Sequence, residues 1–296
     1  MEHSHIPVYN GADAFEFVSE GCITMKVDWA AEWRRHRESF SWVRRLKEMG
    51  ISSEDFWDSY KYADSSEEYD GLTGYPGLVL VKMLRYLNEN SSVLDIGAGA
   101  GAYSIPLAKV ARSVTVVEPS KGQISRLQKR ARKNGLENIQ VINKRWQDVE
   151  RSELEKYDLV NAAYCFHIPE IVPALQKMLD ATTGALSLVT LADHGFKDVY
   201  EVIFQEHEEV PEYIYLYNAL LQMGYPSDVE IIHRRYQLPL EKQIGILKSS
   251  YDITPELEER LLAHLAATKR LVKRESGLWV QRRYKDAMIW YRKSDQ

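Results

Sequence analysis

A run of apolar residues that ends at three closely spaced glycines restricts the fold more than any other feature of this sequence. The segment at 93–109 reads VLDIGAGAGAYSIPLAK and has glycine at positions 97, 99 and 101. Glycine permits backbone angles that other residues rarely adopt, and it lets another group approach the main chain closely. The segment therefore predicts a buried strand, a tight turn open to a ligand, and a helix.

Further strand candidates follow at regular intervals and alternate with helix candidates. Four of them read SVTVVEP, IQVINK, YDLVNAAY and ALSLVTLA, and the later segments SDVEIIHRRYQL and LWVQRRYKDAMIWYRK add two more, the last as a terminal strand or hairpin. Strands that are apolar throughout are typical of a parallel sheet with helices on both faces. We predict an α/β fold with a doubly wound, mostly parallel, seven-stranded Rossmann-like sheet.

The N-terminal part of the chain has a different pattern. Residues 1–74 are polar and helical in pattern, and Trp29 and Trp33 are four residues apart, which places them on one helix face. We expect this segment to form a helical cap on the main domain at 75–296. Its aromatic face also offers a contact for a homodimer.

An insertion at 193–270 interrupts the strand and helix alternation. We expect it to cover a substrate pocket, because function often resides in such additions to a shared fold. Residues 254–273 are predicted as one helix with Thr254 at its cap. The tyrosines that we expect over the pocket are Tyr213, Tyr215, Tyr217 and Tyr225.

Composition and charge exclude several classes of protein. The 296 residues include 38 Lys plus Arg and 43 Asp plus Glu, a net charge of −5, which disfavours a nucleic-acid partner. No apolar stretch reaches the roughly 18 residues of a membrane span, and the first residues do not resemble a secretory signal. Two cysteines, Cys22 and Cys165, fit a reducing compartment. We expect a cytoplasmic protein with no membrane partner.

Two acidic residues indicate which ligand meets the glycine turn. Glu118 ends the next predicted strand, where a carboxylate can accept hydrogen bonds from both hydroxyls of a ribose. Asp95 lies two residues before the first glycine, where it would repel a pyrophosphate and attract an ammonium group. S-adenosylmethionine carries an ammonium group, a sulfonium and an adenosine, and it is the cofactor that we predict. The glycines also satisfy the dinucleotide pattern G-x-G-x-x-G/A, so NAD is the alternative.

The ordered set of segments resembles the class I S-adenosylmethionine-dependent methyltransferases. VLDIGAGAGAYSIPLAK, VTVVEPS, NIQVINKRWQDV and YDLVNAAYCFH are similar to that family in order and spacing, over roughly residues 75–192. The resemblance implies that the residues of the glycine turn line the methionine part of the cofactor and that those after the second strand bind its ribose. The first group is Asp95, Gly97, Ala98 and Gly99. The second group is Glu118 and Pro119.

The resemblance also implies roles for residues after the third and fourth strands. Trp146 and Gln147 are expected at the adenine, although Arg145 occupies a position where an acid is common in the family. Ala162 and Tyr164 are expected to face the sulfonium.

Methyl transfer from a sulfonium is an in-line displacement that needs orientation and removal of a proton from the acceptor. His167 is our candidate for the base, with Tyr164 as a second catalytic candidate, and a purely structural histidine is an equally weighted alternative. Tyr75 is expected to close over the cofactor. HIPE at 167–170 and HEE at 207–209 lack the spacing of metal ligands, so we expect no metal site.

Three functions fit these features. The first is methyl transfer to a small-molecule acceptor, which we favour. The second is methyl transfer to a protein or RNA that docks on the N-terminal Trp- and Arg-rich segment. The third is a cofactor-binding sensor or an NAD-dependent oxidoreductase.

Overall fold

The computed structural model of the chain describes residues 27–39, 41–59, 66–204 and 211–293. Cys22 and the HEE stretch at 207–209 lie outside these residues. None of the described helices has the length and apolar character needed to cross a membrane.

The described part of the chain contains eight strands, twelve α-helices and two short 3-10 helices at Trp146–Asp148 and Arg151–Glu153. The strands are β1 (Ser92–Ile96), β2 (Ser113–Val117), β3 (Ile139–Ile142), β4 (Tyr157–Ala163), β5 (Thr182–Asp193), β6 (Asp228–Pro239), β7 (Leu271–Arg274) and β8 (Gly277–Arg292). The helices before β4 are α1 (Trp29–Ser39), α2 (Ser41–Met49), α3 (Ser53–Ser59), α4 (Ser66–Thr73), α5 (Gly77–Tyr86), α6 (Ser104–Ala108) and α7 (Lys121–Lys133). The later helices are α8 (Ile171–Ala181), α9 (Lys197–Phe204), α10 (Glu212–Gln222), α11 (Leu240–Ser250) and α12 (Pro255–Ala267).

All eight strands belong to one sheet. Its order is β3-β2-β1-β4-β5-β8-β6, with β7 paired to β8. Strands β1 to β5 pair in parallel, whereas β8 runs antiparallel between β5 and β6. The predicted α/β, mostly parallel, doubly wound sheet is confirmed. The chain reverses its direction of winding between β1 and β4, and ligands of open α/β sheets bind in the crevice outside such a point.

Strand β7 corrects our prediction of one helix over residues 254–273. Thr254 does cap α12, where its side chain accepts a hydrogen bond from the Leu257 amide at 3.3 Å. The helix ends at Ala267, and Lys269 has a φ of 56°, a left-handed conformation that ends helices. The following residues form β7 because they pair with β8, a contact that the local sequence pattern does not show.

The sheet buries apolar side chains on both faces, which explains the uninterrupted apolar runs of its strands. Val93 and Leu94 are neighbours on β1, and both are fully buried. Val93 packs with Val79 of α5 in one core cluster, whereas Leu94 packs with Leu175 of α8 in the other.

Helix α1 packs directly on the sheet domain. Trp33 is fully buried, and its indole N–H donates to the carbonyl of Ile168 at 2.7 Å. The rings of Trp29, Trp33 and His36 surround Tyr215 of α10. Trp33 therefore packs within the chain, whereas Trp29 is only partly buried, and the homodimer contact stays a prediction.

The insertion has a small apolar core of its own. Phe196, Leu247 and Leu261 are buried together against Val280 of β8. The N-terminal half of β8 pairs with β6 but extends beyond the residues that pair with β5. The extended β6 and β8 ribbon thus carries helices α9, α11 and α12.

We predict that Trp33→Ala lowers the free energy of unfolding by roughly 3 to 5 kcal/mol, because it removes a fully buried ring and its hydrogen bond. Urea unfolding followed by circular dichroism measures this change. Leu78→Ala, at a side chain that is 59% exposed, is the control and should change stability by less than about 0.5 kcal/mol. Equal effects of the two substitutions would contradict the packing of α1.

Candidate active site

A cavity of about 690 Å³ lies outside the carboxyl ends of β1, β2 and β4. Its size is within the range of small-molecule sites. The predicted residues of the first two strand ends line it, namely Asp95, Gly97, Ala98, Gly99, Glu118 and Pro119. So do the predicted residues from elsewhere in the chain, namely Tyr75, Trp146, Gln147, Tyr164 and His167.

Ala162 is the predicted site residue that does not line the cavity. It is fully buried in the core cluster beneath α8, whereas Ala163 lines the cavity. The side chains of successive strand residues point to opposite faces of the sheet, so a shift of one position separates a residue in the core from one that lines the cavity. Our placement of Ala162 at the sulfonium was therefore wrong, and Ala163 occupies the wall beside Tyr164.

The glycines of the turn have different reasons to lack a side chain. A Cβ atom on Gly97 would lie 2.2 Å from Cβ of Cys165, so this glycine is required by packing inside the protein. A Cβ atom on Gly99 would meet no other atom within 4 Å. Gly99 lines the cavity, so its missing side chain leaves the backbone there open to a ligand.

Asp95 is a buried carboxylate at the end of β1, and it is only 2% exposed. The side-chain amide of Asn161 donates to one of its oxygens at 2.8 Å, and the hydroxyl of Ser104 donates to the other. Burial raises the pKa of Asp95 to about 6, although both hydrogen bonds favour the charged form. A cation in the cavity would stabilise the ionised carboxylate.

Glu118 closes the glycine turn from the second strand. One of its oxygens accepts from the amide of Gly99 and the other from the amide of Ser120, each at 2.9 Å. Burial raises the pKa of Glu118, and the nearby charges of Asp95 and Glu54 add to this shift. Each carboxylate oxygen retains a further lone pair that can accept a hydrogen bond from a ribose hydroxyl.

A group of tyrosines forms the wall of the cavity beyond β4. Tyr164 has a φ of 56°, and its hydroxyl donates to the buried carboxylate of Asp286 on β8. Arg234 of β6 donates to both oxygens of the same carboxylate, and its guanidinium lies 5.2 Å from the ring centre of Tyr75. Burial raises the pKa of Tyr75 and Tyr164 well above their usual range, so both hydroxyls stay protonated.

His167 is tied to the N-terminal segment. Its Nδ1 lies 2.5 Å from a guanidinium nitrogen of Arg37, which can only donate, so Nδ1 accepts and Nε2 carries the ring hydrogen. Arg37 in turn pairs with Glu212, which accepts from Thr190 at 2.6 Å. Burial and then the charge of Arg37 lower the pKa of His167 to about 3. The arrangement makes His167 a hydrogen-bond donor rather than a strong base.

The two predicted adenine residues differ in exposure. Trp146 is 4% exposed, its indole N–H donates to the carbonyl of Ala174 at 3.1 Å, and Lys177 lies over its ring. Most of this side chain therefore packs in the core, with one part reaching the cavity. Gln147 lines the cavity, and the preceding Arg145 pairs with Glu54 of α3 at 2.6 Å.

Several cavity residues were not predicted, and all of them except Tyr103 come from distant parts of the chain. Glu54 and Trp57 of α3, Tyr103 after the glycine turn, and Ile246 of α11 all line the cavity. The serine and acidic start of α3 predicts a helix but not its position.

The tyrosines that we expected over the pocket are elsewhere. Tyr213, Tyr215, Tyr217 and Tyr225 pack against the core cluster beneath α8 and α10 and do not line the cavity. Among the described residues, no group of three or more His, Cys, Asp or Glu side chains is arranged to hold a metal ion.

The part of the chain that contains the glycine turn is similar to known proteins. A family described as a methyltransferase domain matches residues 93–185. An uncharacterized protein from Haemophilus influenzae is 28% identical over 167 residues, which cover 55% of this chain and 62% of that protein. Ribosomal RNA small subunit methyltransferase G from Lactobacillus helveticus is 36% identical over 78 residues, which cover 25% of this chain and 32% of that protein.

A solved structure from Bacillus halodurans has the same fold, with a TM-score of 0.54 at 16% identity over 73% of this chain and 99% of that one. The chain spans less than two thirds of the length of the two curated relatives. The sheet order and the cavity define an α/β domain with a crevice of ligand size outside the point where the winding reverses. The match of residues 93–185 to a methyltransferase domain confirms the resemblance to the class I S-adenosylmethionine-dependent methyltransferases that the sequence indicated.

We predict that Asp95 makes the ligand-free protein less stable as pH rises. Its folded pKa of about 6 lies above the ordinary value of 3.8, so the native state holds the proton more tightly than the unfolded state does. The free energy of unfolding should therefore fall by about 2 kcal/mol between pH 4 and pH 7 on account of this group. Asp95→Asn, which mimics the protonated form, should remove this part of the pH dependence in urea unfolding. An unchanged pH profile in Asp95→Asn would contradict the assignment.

We also predict that alanine at two glycines of the turn affects stability and cofactor binding to different extents. Gly97→Ala should cost more than about 2 kcal/mol of stability, because its Cβ would overlap Cys165 and its φ is 67°. Gly99→Ala should cost about 1 to 2 kcal/mol from its φ of 54° alone, yet it should weaken cofactor binding more than tenfold, because the new methyl group projects into the cavity. Thermal unfolding and calorimetric titration with S-adenosylhomocysteine separate the two effects. A loss of stability at Gly99 as large as that at Gly97 would contradict the open cavity there.

Proposed function

We propose that the protein transfers the methyl group of S-adenosylmethionine to a small-molecule acceptor bound in the same cavity. The observation that carries the proposal is the arrangement of one continuous cavity with the carboxylates of Asp95 and Glu118 at one side and a tyrosine wall at the other. When bound, the sulfonium would supply a methyl group to the nucleophilic atom of the acceptor by in-line displacement, with S-adenosylhomocysteine as the leaving group.

The cofactor end of the cavity supports this proposal through charge and shape. Asp95 is a buried carboxylate whose ionised form needs a cation, and it fits the ammonium group. Glu118 presents a carboxylate directly after β2, where it accepts from the amide of Gly99, and this carboxylate fits the two ribose hydroxyls. A dinucleotide would instead bring a pyrophosphate close to Asp95, which is electrostatically unfavourable. We therefore favour S-adenosylmethionine over NAD.

The acceptor end of the cavity supports orientation of the acceptor rather than strong base catalysis. Tyr75 and Tyr164 keep their protons, and Nδ1 of His167 is held by Arg37. These groups can orient an acceptor by hydrogen bonds and by contact with aromatic rings. An acceptor whose nucleophilic atom is already deprotonated, or which loses its proton to water after transfer, suits such a wall. We retain Tyr164 and His167 as acceptor-contacting residues in this proposal.

Two observations support a small acceptor over RNA. The aromatic residues of α1 that were candidates for base stacking are packed inside the chain, with Trp33 fully buried. Both arginines that line the cavity pair with acids, Arg145 with Glu54 and Arg130 with Asp70. Binding of a phosphate backbone depends on basic residues that can release counterions.

An RNA acceptor is the second candidate, because the Lactobacillus relative is named as a ribosomal RNA methyltransferase. Incubation of the protein with methyl-labelled S-adenosylmethionine and either a deproteinised metabolite extract or total RNA distinguishes the two. Label in a small metabolite supports our proposal. Label retained by RNA, and removed by ribonuclease, would overturn it.

The segments outside the sheet are proposed to complete the cavity. Residues 1–74 act as a cap on the domain at 75–296, and the insertion at 193–270 covers the acceptor end. Support comes from Glu54 and Trp57 on one side and Ile246 of α11 on the other, all of which line the cavity.

We predict that Glu118→Ala weakens binding of S-adenosylhomocysteine by roughly 1 to 3 kcal/mol, because ribose hydroxyls lose a buried acceptor. Isothermal titration of both proteins with S-adenosylhomocysteine, S-adenosylmethionine and NAD measures the change. Glu137→Ala, at an exposed glutamate, is the matched control and should bind like the unmodified protein. Binding of NAD alone by the unmodified protein would overturn the proposed cofactor.

A further inference from the structure

Helix α3 of the N-terminal segment is fastened to the corner of the cavity where Glu118 lies. The carboxylate of Asp58, near the end of α3, accepts from the amide of Gly122 at 2.9 Å and from the hydroxyl of Ser120 at 2.5 Å. The amide of Ser120 in turn donates to Glu118. Only one residue thus separates the proposed ribose carboxylate from the anchor of α3, and the helix cannot shift without disturbing this corner.

The face of α3 that meets the cavity carries a second carboxylate. Glu54 lines the cavity together with Trp57, which is three residues further along the helix. Both carboxylate oxygens of Glu54 are engaged by the guanidinium of Arg145, at 2.6 Å and 3.1 Å. This paired geometry fixes the direction of the carboxylate. Its charge also contributes, after burial and Asp95, to raising the pKa of Glu118, which places Glu54 close to the ribose end of the cavity.

The carboxylate of Glu54 and the neutral side-chain amide of Gln147 line the cavity beyond the ribose corner, and a carboxylate is the stronger acceptor for an amino group. The indole N–H of Trp146 can only donate and is already bonded to Ala174, and Arg145 can only donate. Of the acids that line the cavity, Asp95 and Glu118 are assigned to the ammonium group and the ribose. Asp70 pairs with Arg130, which also donates to the carbonyl of Ala100 in the glycine turn.

We propose that Glu54 accepts a hydrogen bond from the 6-amino group of the cofactor's adenine, with Arg145 holding its carboxylate in place. Through this hydrogen bond, the N-terminal segment distinguishes adenine from a purine that has oxygen at position 6. This inference rests on the proposed binding of S-adenosylmethionine. It adds that a residue from outside the sheet domain determines specificity for the base.

Calorimetric titration with two ligands tests the proposal without knowledge of the acceptor. The ligands are S-adenosylhomocysteine and S-inosylhomocysteine, in which oxygen replaces the 6-amino group. The unmodified protein should bind the adenosyl ligand roughly tenfold to a hundredfold more tightly, because the inosyl oxygen would face a carboxylate. Glu54→Ala should bind the two ligands within about threefold of each other. Glu54→Gln, whose amide can donate to the oxygen, should also lose the preference.

The matched control is Glu38→Gln, at an exposed glutamate of the same N-terminal segment, which should keep the full preference. Thermal unfolding of each variant checks that it is folded. If Glu54→Ala does not fold, the conservative Glu54→Gln provides the test. A full preference for the adenosyl ligand in both Glu54 variants would overturn the role of Glu54 while leaving the proposed function intact. Failure of the unmodified protein to bind either ligand would overturn the proposed function and this inference with it.

Discussion

The buried carboxylate of Asp95 is the constraint on which the rest of the site depends. It lies at the end of β1, with Asn161 of β4 and Ser104 of α6 donating to its two oxygens. These bonds join the two strands between which the sheet changes its direction of winding. They do not fully offset the cost of burial, so the pKa of the carboxylate stays near 6 and its charged form is incomplete without a cation. The buried carboxylate lowers the stability of the ligand-free protein, and it favours the binding of a cationic ligand.

Three parts of the chain hold the remaining walls of the cavity against this strand end. From the C-terminal strands, Arg234 and Asp286 fix the hydroxyl of Tyr164. In the N-terminal helices, Arg37 of α1 is hydrogen-bonded to Nδ1 of His167. Asp58 of α3 accepts a hydrogen bond from Gly122 at the start of α7. The N- and C-terminal regions are therefore parts of the site rather than additions to a finished domain. Loss of either region should alter the cavity even where the glycine turn is intact.

Local patterns in the sequence predicted the features that depend on local structure. The parallel strands, the glycine turn and the acids at the ends of β1 and β2 follow from residues close together in the chain. The reasons for individual glycines did not, because the contact of Gly97 is with Cys165, some 70 residues away. Placing Ala162 rather than Ala163 at the cavity was an error of one position in strand phase. Glu54 carries no local signal, since bonds between residues distant in the chain bring its helix to the site, from Asp58 to the start of α7 and from Glu54 to Arg145.

The most direct test of the account counts the protons that are released when the cofactor product binds. At pH 6 about half of the Asp95 carboxyls are protonated, and an ammonium group beside them would drive ionisation. Titration with S-adenosylhomocysteine in buffers of different ionisation enthalpy should show release of about half a proton per site at pH 6 and almost none at pH 8. Asp95→Asn should show no release at pH 6. Tight binding with no proton release by the unmodified protein at pH 6 would contradict the central role of Asp95.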